Sequence, residues 1–290
     1  MKGKVIKVRP AMPAEFDEVA AFCAGRDKDQ KTREIKRRRR RWLEEMAPRG
    51  LVTLLALDPR PPRFVDVDGE RVSRDELTLL ADGLAVGLLE YVPVEETLYP
   101  VEGAEYLFVD CMWVIPPYVG RGVGRALMNA VVREARTRGT GAATVAWRGA
   151  QPAEGWSYMP ESFFRGFGFD VVDEDGDRVL MAVSYGARGK PSFVRTPPFL
   201  DEGITFLCHP SCPASLWAAE ELAREAGTPG EAKKVKVVEV EGREAARRYG
   251  ALFGVCVAGR VVVNRLAFPG DVERAVARGG GDQSPHGIRP

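Results

Sequence analysis

From the N-terminus, apolar positions recur with two periods, every second residue in some stretches and every third or fourth in others. These are the spacings of strands and helices. Lys4 to Val8 alternates as a first strand. Pro13 and the acids Glu15, Asp17 and Glu18 then open a helix with Phe16, Val19, Ala20 and Cys23 on its apolar side. Asp27 to Met46 is predicted as a second helix, long and very polar, and Leu51 to Leu57 as a strand. Phe64 to Arg71 reads as a short hairpin turning at Asp68-Gly69. Leu77 to Val92 gives one long strand or two short ones joined at Asp82-Gly83. Tyr106 to Ile115, rich in Val, Phe and Trp, is a buried strand. Pro116 and Pro117 end it, since proline cannot donate to a ladder. A helix follows, with Leu127, Val131, Val132 and Ala135 on one side and Arg133, Arg136 and Arg138 on the other. Ala142 to Trp147 and Arg178 to Ser184 read as further strands.

Gly186 to Gly203 mixes glycines and prolines without an apolar period, which places a domain boundary there. Beyond it the pattern alternates again. Strands are predicted at Ile204 to Leu207, Val235 to Val240, Leu252 to Val257 and Val261 to Val263, the last two forming a hairpin around Ala258-Gly259. Helices are predicted at Ala214 to Ala226, Arg243 to Tyr249 and Val272 to Ala277. The expected organisation is a first domain over 1–186, a linker over 187–202, a second domain over 203–278 and a flexible tail over 279–290.

Between the strand ending at Ile115 and the helix lies VGRGVG: Val119, Gly120, Arg121, Gly122, Val123 and Gly124, followed by Arg125. A strand, a glycine-rich turn and a helix form an anion site, because several backbone N–H groups and the first helical turn point the same way. A Walker loop needs Lys and then Ser or Thr after the last glycine, and here Arg125 and Ala126 follow. A Rossmann fingerprint needs a different glycine spacing.

The loop resembles the pyrophosphate loop of the GNAT superfamily of acyl-CoA-dependent N-acyltransferases, whose signature is R/Q-x-x-G-x-G/A. Gly122 and Gly124 match it, and Val119 stands where the family usually has Arg or Gln. Downstream, FFRGFGF (Phe163 to Phe169) resembles the family's closing element F-Y-x-K-x-G-F, with Phe164 at the tyrosine position and Gly166 at the lysine position. The resemblance covers about residues 4–185. It implies a mixed central sheet flanked by helices and an acetyl-CoA co-substrate whose pyrophosphate is held by residues 119–125. It also implies backbone pairing of Trp113 and Val114 with pantetheine. Acetyl transfer to an amine needs a group to take a proton and, often, one to protonate the departing thiolate. Phenylalanine does neither, so Tyr158 and Asp110 are the candidates, Asp110 as base. An acid pairing with an arginine at a strand end is the structural alternative for Asp110.

The β-α-β-α-β-β-α order of the second half resembles the small thioredoxin-like fold. At its first strand-to-helix junction stands CHPSCPAS, Cys208 to Ser215. A cysteine just before a helix has its thiolate stabilised by free N–H groups and the dipole, which makes Cys212 a candidate reactive thiol in a C-x-x-S arrangement. The opposing readings are a zinc site from Cys208, His209 and Cys212, or a module retained for binding or stability.

Composition narrows the function classes. Lys+Arg 42 against Asp+Glu 41 gives no general nucleic-acid binder. Within this near-neutral balance, Lys36 and Arg37 to Arg41 are expected as a solvated helix face beside Glu34, Glu44 and Glu45, with acceptor selection as a second reading. No apolar run approaches a membrane span, MKGKVIKVRP is not followed by an apolar signal region, and five cysteines suggest reduced thiols in a cytoplasm. The fold class expected is α/β (α+β), a GNAT-type sheet plus a small thioredoxin-like domain. The function expected is acetyl-CoA-dependent N-acetylation of an amine, with no membrane partner and oligomeric state open. The alternative is a thiol-redox or thiol-ligand protein centred on Cys212, with an acyl-CoA-binding regulatory domain. Small amine, aminoglycoside, peptide N-terminus and protein lysine are all open as acceptors.

Overall fold

The computed structural model describes residues 6–25, 29–67, 70–74, 77–148, 159–195, 197, 203–226 and 235–279. The chain forms two compact units, the first of Met1–Thr97 and Val101–Val194, the second of Leu98–Pro100 and Arg195–Pro290.

The first unit is organised by one large sheet. In chain order its elements are β1 (Lys7–Pro10), α1 (Phe16–Ala24), α2 (Gln30–Met46), β2 (Val52–Asp58), β3 (Phe64–Val67), β4 (Glu70–Ser73), β5 (Leu79–Leu80) and β6 (Gly83–Pro93). They continue with β7 (Val101–Glu102), β8 (Tyr106–Val114), α3 (Val123–Arg138), β9 (Gly141–Trp147), α4 (Glu161–Arg165), β10 (Asp170–Asp175), β11 (Arg178–Ser184) and β12 (Ser192–Phe193). The sheet runs β1-β2-β6-β8-β9-β11-β10, with β5 beside β6. β8 and β9 are parallel, whereas the other neighbours are antiparallel. A parallel pair requires a crossover, which α3 provides.

The helices cover the sheet because of where their apolar residues fall. In α2, Thr32, Ile35, Arg39, Trp42, Leu43 and Met46 are buried while the positions between them carry the charges. Asp29 caps this helix, accepting the Thr32 N–H at 2.7 Å. Trp42, Leu43 and Met46 pack with Phe16 and Val19 of α1 on Leu55, Leu57, Ala85, Leu88 and Val92 of the sheet. α3 buries Val123, Leu127, Met128, Val131, Val132 and Ala135. It lies so close that a Cβ on Gly87 would come within 2.9 Å of the Val123 side chain.

Several expectations are refined. Leu77 to Val92 resolves into β5 and β6, joined by a tight turn with Leu80 opposite Gly83. The first strand is shifted to Lys7–Pro10, and residues 1–5 lie outside the described set. β3 and β4 form a hairpin, its predicted turn at 68–69 also lying outside that set. β10 carries the sequence DVVDED, which hides a strand behind acids tolerated at a sheet edge. Part of the stretch read as linker is folded onto the first unit. β12 pairs with β7, Phe193 is buried, and its N–H donates to Asp173 Oδ2 at 2.7 Å.

The second unit contains β13 (Ile204–Cys208), α5 (Pro213–Ala226), β14 (Val235–Glu239), α6 (Gly242–Tyr249), β15 (Gly254–Val257), β16 (Arg260–Val263) and α7 (Pro269–Gly279). Its sheet order is β14-β13-β15-β16. β13 is parallel to β14 and antiparallel to β15. β15 and β16 turn at Ala258-Gly259, with φ of 47° and 71°, the mirror-image conformation that matches strand twist. Residues 280–290 of the expected tail lie outside the described set. Among the described residues no helix is long and apolar enough to cross a membrane.

Candidate active site

The candidate site begins where β8 and β9 part. They pair from Tyr106↔Gly141 to Val109↔Thr144 and no further, while β8 stays paired with β6 out to Val114. Past Val109, the side of β8 that faced β9 is a backbone edge along which no described strand is paired. Trp113 and Val114 lie on this edge, Trp113 with its side chain packed against the core.

Asp110 sits at the point of parting. Opposite it, Tyr91 pairs with Val109 and Glu90 with Cys111, so Asp110 is the extra residue of a bulge. Bulges re-aim side chains. The Thr97 hydroxyl donates to Asp110 Oδ1 at 2.7 Å. Burial raises the carboxyl well above its ordinary value, to about 7, with Glu90 adding to the rise and Thr97 and Arg39 opposing it. A carboxyl that titrates there is matched to proton transfer near neutral pH.

Beside it lies a buried ion pair. Arg39 and Glu90 are each about 1% exposed. The Arg39 guanidinium donates to Glu90 Oε1 and stacks 4.5 Å from the Trp42 ring centroid. Thr53 Oγ1 donates to the same carboxylate oxygen at 2.9 Å. Burial works against the charge on Arg39, but Glu90 outweighs it and holds the guanidinium protonated. The expectation of a wholly solvated basic face therefore fails at Arg39. The signal was present: Arg39 falls four residues after Ile35 and three before Trp42, on the apolar stripe.

The glycine-rich loop follows β8. Gly120 and Gly122 have φ of 74° and 83°, a region that L side chains adopt only at a cost. A Cβ at either would meet no protein atom within 4 Å, so the space above both is open. Gly122 caps α3, and the N–H groups of Val123, Gly124 and Arg125 have no carbonyl partner inside the helix. Val119 is 64% exposed, and its N–H donates to Pro116 O at 3.1 Å. Arg121 and Arg125 are exposed on either side. The loop is anchored by Tyr118, whose hydroxyl donates to buried Asp58 at 2.7 Å. Burial, followed by Asp58, raises the Tyr118 phenol above its ordinary value. The residue pattern does not reveal this anchor, because the partners are 60 positions apart.

On the far side of the loop, α4 presents Phe163, whose ring would lie 3.5 Å from a Cβ at Gly124. Phe164 points the other way. It is fully buried, 5.2 Å from the Phe163 ring and 5.8 Å from Phe169. Its position thus builds the core, where it contributes about 1.5–3 kcal/mol. Tyr158, the other candidate acid, lies outside the described residues.

Cys212 belongs to the second unit, half-buried and one residue ahead of α5. Ser215, its C-x-x-S partner in sequence, is spent on backbone. The single hydroxyl proton is shared between Cys212 O at 2.8 Å and His209 O at 3.0 Å, and the oxygen accepts from His209 N–H at 3.1 Å. His209 is buried and its Nδ1 accepts the Ser211 N–H at 3.0 Å, while Cys208 Sγ faces Val238 O at 3.7 Å. Among the described residues no group of three or more His, Cys, Asp or Glu is arranged to hold a metal.

Residues 34–154 match the model of the Acetyltransferase (GNAT) family. The chain is 25% identical over 188 residues to the Bacillus subtilis (strain 168) protein named Uncharacterized N-acetyltransferase YoaP, covering 61% of this chain and 72% of that one. Similar solved structures include the PaiA N-acetyltransferase of Thermoplasma acidophilum in complex with coenzyme A, at 15% identity and a TM-score of 0.39, covering 62% of this chain and 99% of that chain. Another is a GNAT family acetyltransferase of Brucella melitensis in complex with acetyl-CoA, at 15% identity and a TM-score of 0.36, covering 66% and 96%. At such TM-scores neither likeness bears on the chemistry of the site.

Proposed function

We propose that the chain, an acyltransferase whose residues 34–154 match the GNAT family model, moves an acetyl group from acetyl-CoA to the amine of an acceptor by direct attack. The observation that carries this reading is the coincidence of three features at one place: the edge of β8 beyond its parting from β9, the open glycine turn that begins α3, and the half-buried carboxyl of Asp110. In this reading the amides of residues 120–125, with Arg121 and Arg125 beside them, hold the pyrophosphate. The edge at Trp113 and Val114 takes the pantetheine amides. Acetyl-CoA supplies an acyl carbon bound to a good leaving group, a thiolate.

Asp110 supplies the proton chemistry. The acceptor arrives as an ammonium ion, and its nitrogen has no lone pair until a proton leaves. The Asp110 carboxylate takes that proton, directly or through water. The C–N bond then forms as the C–S bond breaks. The thiolate takes up one proton and a second goes to solvent, so charge and atoms balance. Phe164 has no part in this step.

For the second unit we keep the thioredoxin-like reading, which the order β14-β13-β15-β16 with one parallel pair supports. A function centred on the Cys212 thiol has less support than acyl transfer, since both family likenesses fall to acetyltransferases.

Calorimetry with acetyl-CoA tests the reading first, with one site of micromolar to submillimolar affinity expected. No heat at millimolar ligand overturns it. Release of free coenzyme A thiol across a panel of small amines, aminoglycosides, peptide N-termini and lysine peptides then identifies the acceptor.

A further inference from the structure

We propose that Thr97 is the positioning residue of this site, fixing the Asp110 carboxyl so that one oxygen is committed to the protein and the other is left for the acceptor's proton. The inference rests on the acetyltransferase reading above and adds a residue to it. Thr97 is fully buried in the turn between β6 and β7, with no sequence motif around it. Its hydroxyl donates to Oδ1 at 2.7 Å. That donation does two things. It removes rotational freedom from a side chain that the bulge has already turned out of the strand's alternation. It also stabilises the carboxylate over the acid, since a hydroxyl proton pointed at Oδ1 is worth most when the oxygen is charged.

The other groups bearing on Asp110 come from two elements. Glu90 of β6 disfavours its ionisation and Arg39 of α2 favours it. Both remain in place when Thr97 is changed. Cys111 follows Asp110 on β8, and Cys23 of α1 lies within electrostatic range of Arg39. Glu90 and Arg39 act on Asp110 in opposite directions, and the Thr97 hydrogen bond is the larger of the two interactions that oppose the rise.

The test is the pH profile of kcat/KM for the full chain, with acetyl-CoA and the best acceptor amine. Removing the donor raises the pKa of the base, so Thr97→Val moves the acid limb up by about one pH unit. The rate falls about tenfold at pH 6 and less than twofold at pH 9.5. Thr97→Ser restores the wild-type limb. Thr97→Ala removes the same hydroxyl with a different change of volume, and its limb moves with that of Thr97→Val. Profiles for both that are lowered uniformly, with the limb unmoved, overturn the proposal while leaving Asp110 as the base. Asp110→Asn separates the two ideas. A variant that keeps more than half the wild-type rate removes the base itself, and with it the reading on which the role of Thr97 depends.

Discussion

The two ends of the candidate site are built in opposite ways. The end proposed to hold phosphate is made of backbone: a Pro-Pro turn, two glycines at positive φ and three helical N–H groups, all within residues 116–125. The proton end is made of side chains gathered from α2, β2, β6, the turn after β6, and β8, at positions 39, 53, 90, 97 and 110. A backbone site needs particular residue types at particular spacings, because glycine adopts those angles at the least cost, and so it leaves a motif. A side-chain site needs only that folding bring scattered residues together. Substitutions at the two ends should therefore divide cleanly, the first acting on binding of the acyl donor and the second on the chemical step and on stability.

The largest effect expected is from Asp110→Asn. It removes the proposed base and should lower kcat by about 10²–10⁴-fold with little change in KM for acetyl-CoA. Stability should move the other way. The folded carboxyl titrates near 7, against an ordinary value of 3.8, so between those values the folded state holds a proton that the unfolded state has lost. Stability therefore falls as pH rises through that window. Asp110→Asn should melt higher than wild type at pH 8, with the difference vanishing below about pH 4. A variant melting at the same temperature at both pH values would mean that the carboxyl titrates normally.

Next in size is the buried pair. Glu90→Gln strands the Arg39 charge in the core and should cost about 3–5 kcal/mol in urea unfolding. The double change Arg39→Met with Glu90→Leu should recover most of that, because a hydrophobic replacement of similar volume needs no pairing. A loss in the double variant as large as in the single would make the pair a net source of stability. Glu90→Gln should also move the acid limb of the pH profile down, since Glu90 disfavours ionisation of Asp110.

These residues explain what the sequence conceals. The glycine loop is legible from residue types alone, because its geometry restricts which residues can occupy it. The bulge at Asp110 is not, since it depends on the register of β6 against β8. Glu90 stands in the apolar run GLLEYV and Arg39 within a basic run, and the charge of each is balanced by the other, 51 positions away. Thr97 carries no pattern at all. Phe164 shows the opposite failing. Its motif position suggested a missing catalytic hydroxyl, whereas packing against Phe163 and Phe169 makes it a core residue. β10 lacks a strand pattern for a third reason, that edge strands accept charges.

At the phosphate end, Gly122→Val should raise KM for acetyl-CoA about tenfold or more while leaving kcat within a few-fold. The residue is held at φ 83°, where a side chain costs about 1–2 kcal/mol. The added atoms would project into the space kept open above the turn. A drop in kcat with KM unchanged would mean that the turn does not hold the donor, and would break the division between the two ends.

The smallest effect expected is at Cys212, and its smallness is informative. If acyl transfer belongs wholly to the first unit, Cys212→Ser should leave kcat and KM within twofold. The thiol itself is tested by its alkylation rate against pH. The neighbouring Ser215 hydroxyl is committed to the carbonyls of His209 and Cys212, so stabilisation of a thiolate falls to the first turn of α5, where Pro213 has no N–H to give. A titration near the ordinary thiol value of about 8.5 would make Cys212 a structural residue of the junction. A midpoint below about 7, with transfer activity unchanged in Cys212→Ser, would give the chain two independent chemistries. That result would extend the contrast between backbone-built and side-chain-built sites to a third place, since a lowered thiol pKa there would come from helix amides, the same groups proposed to bind phosphate at α3.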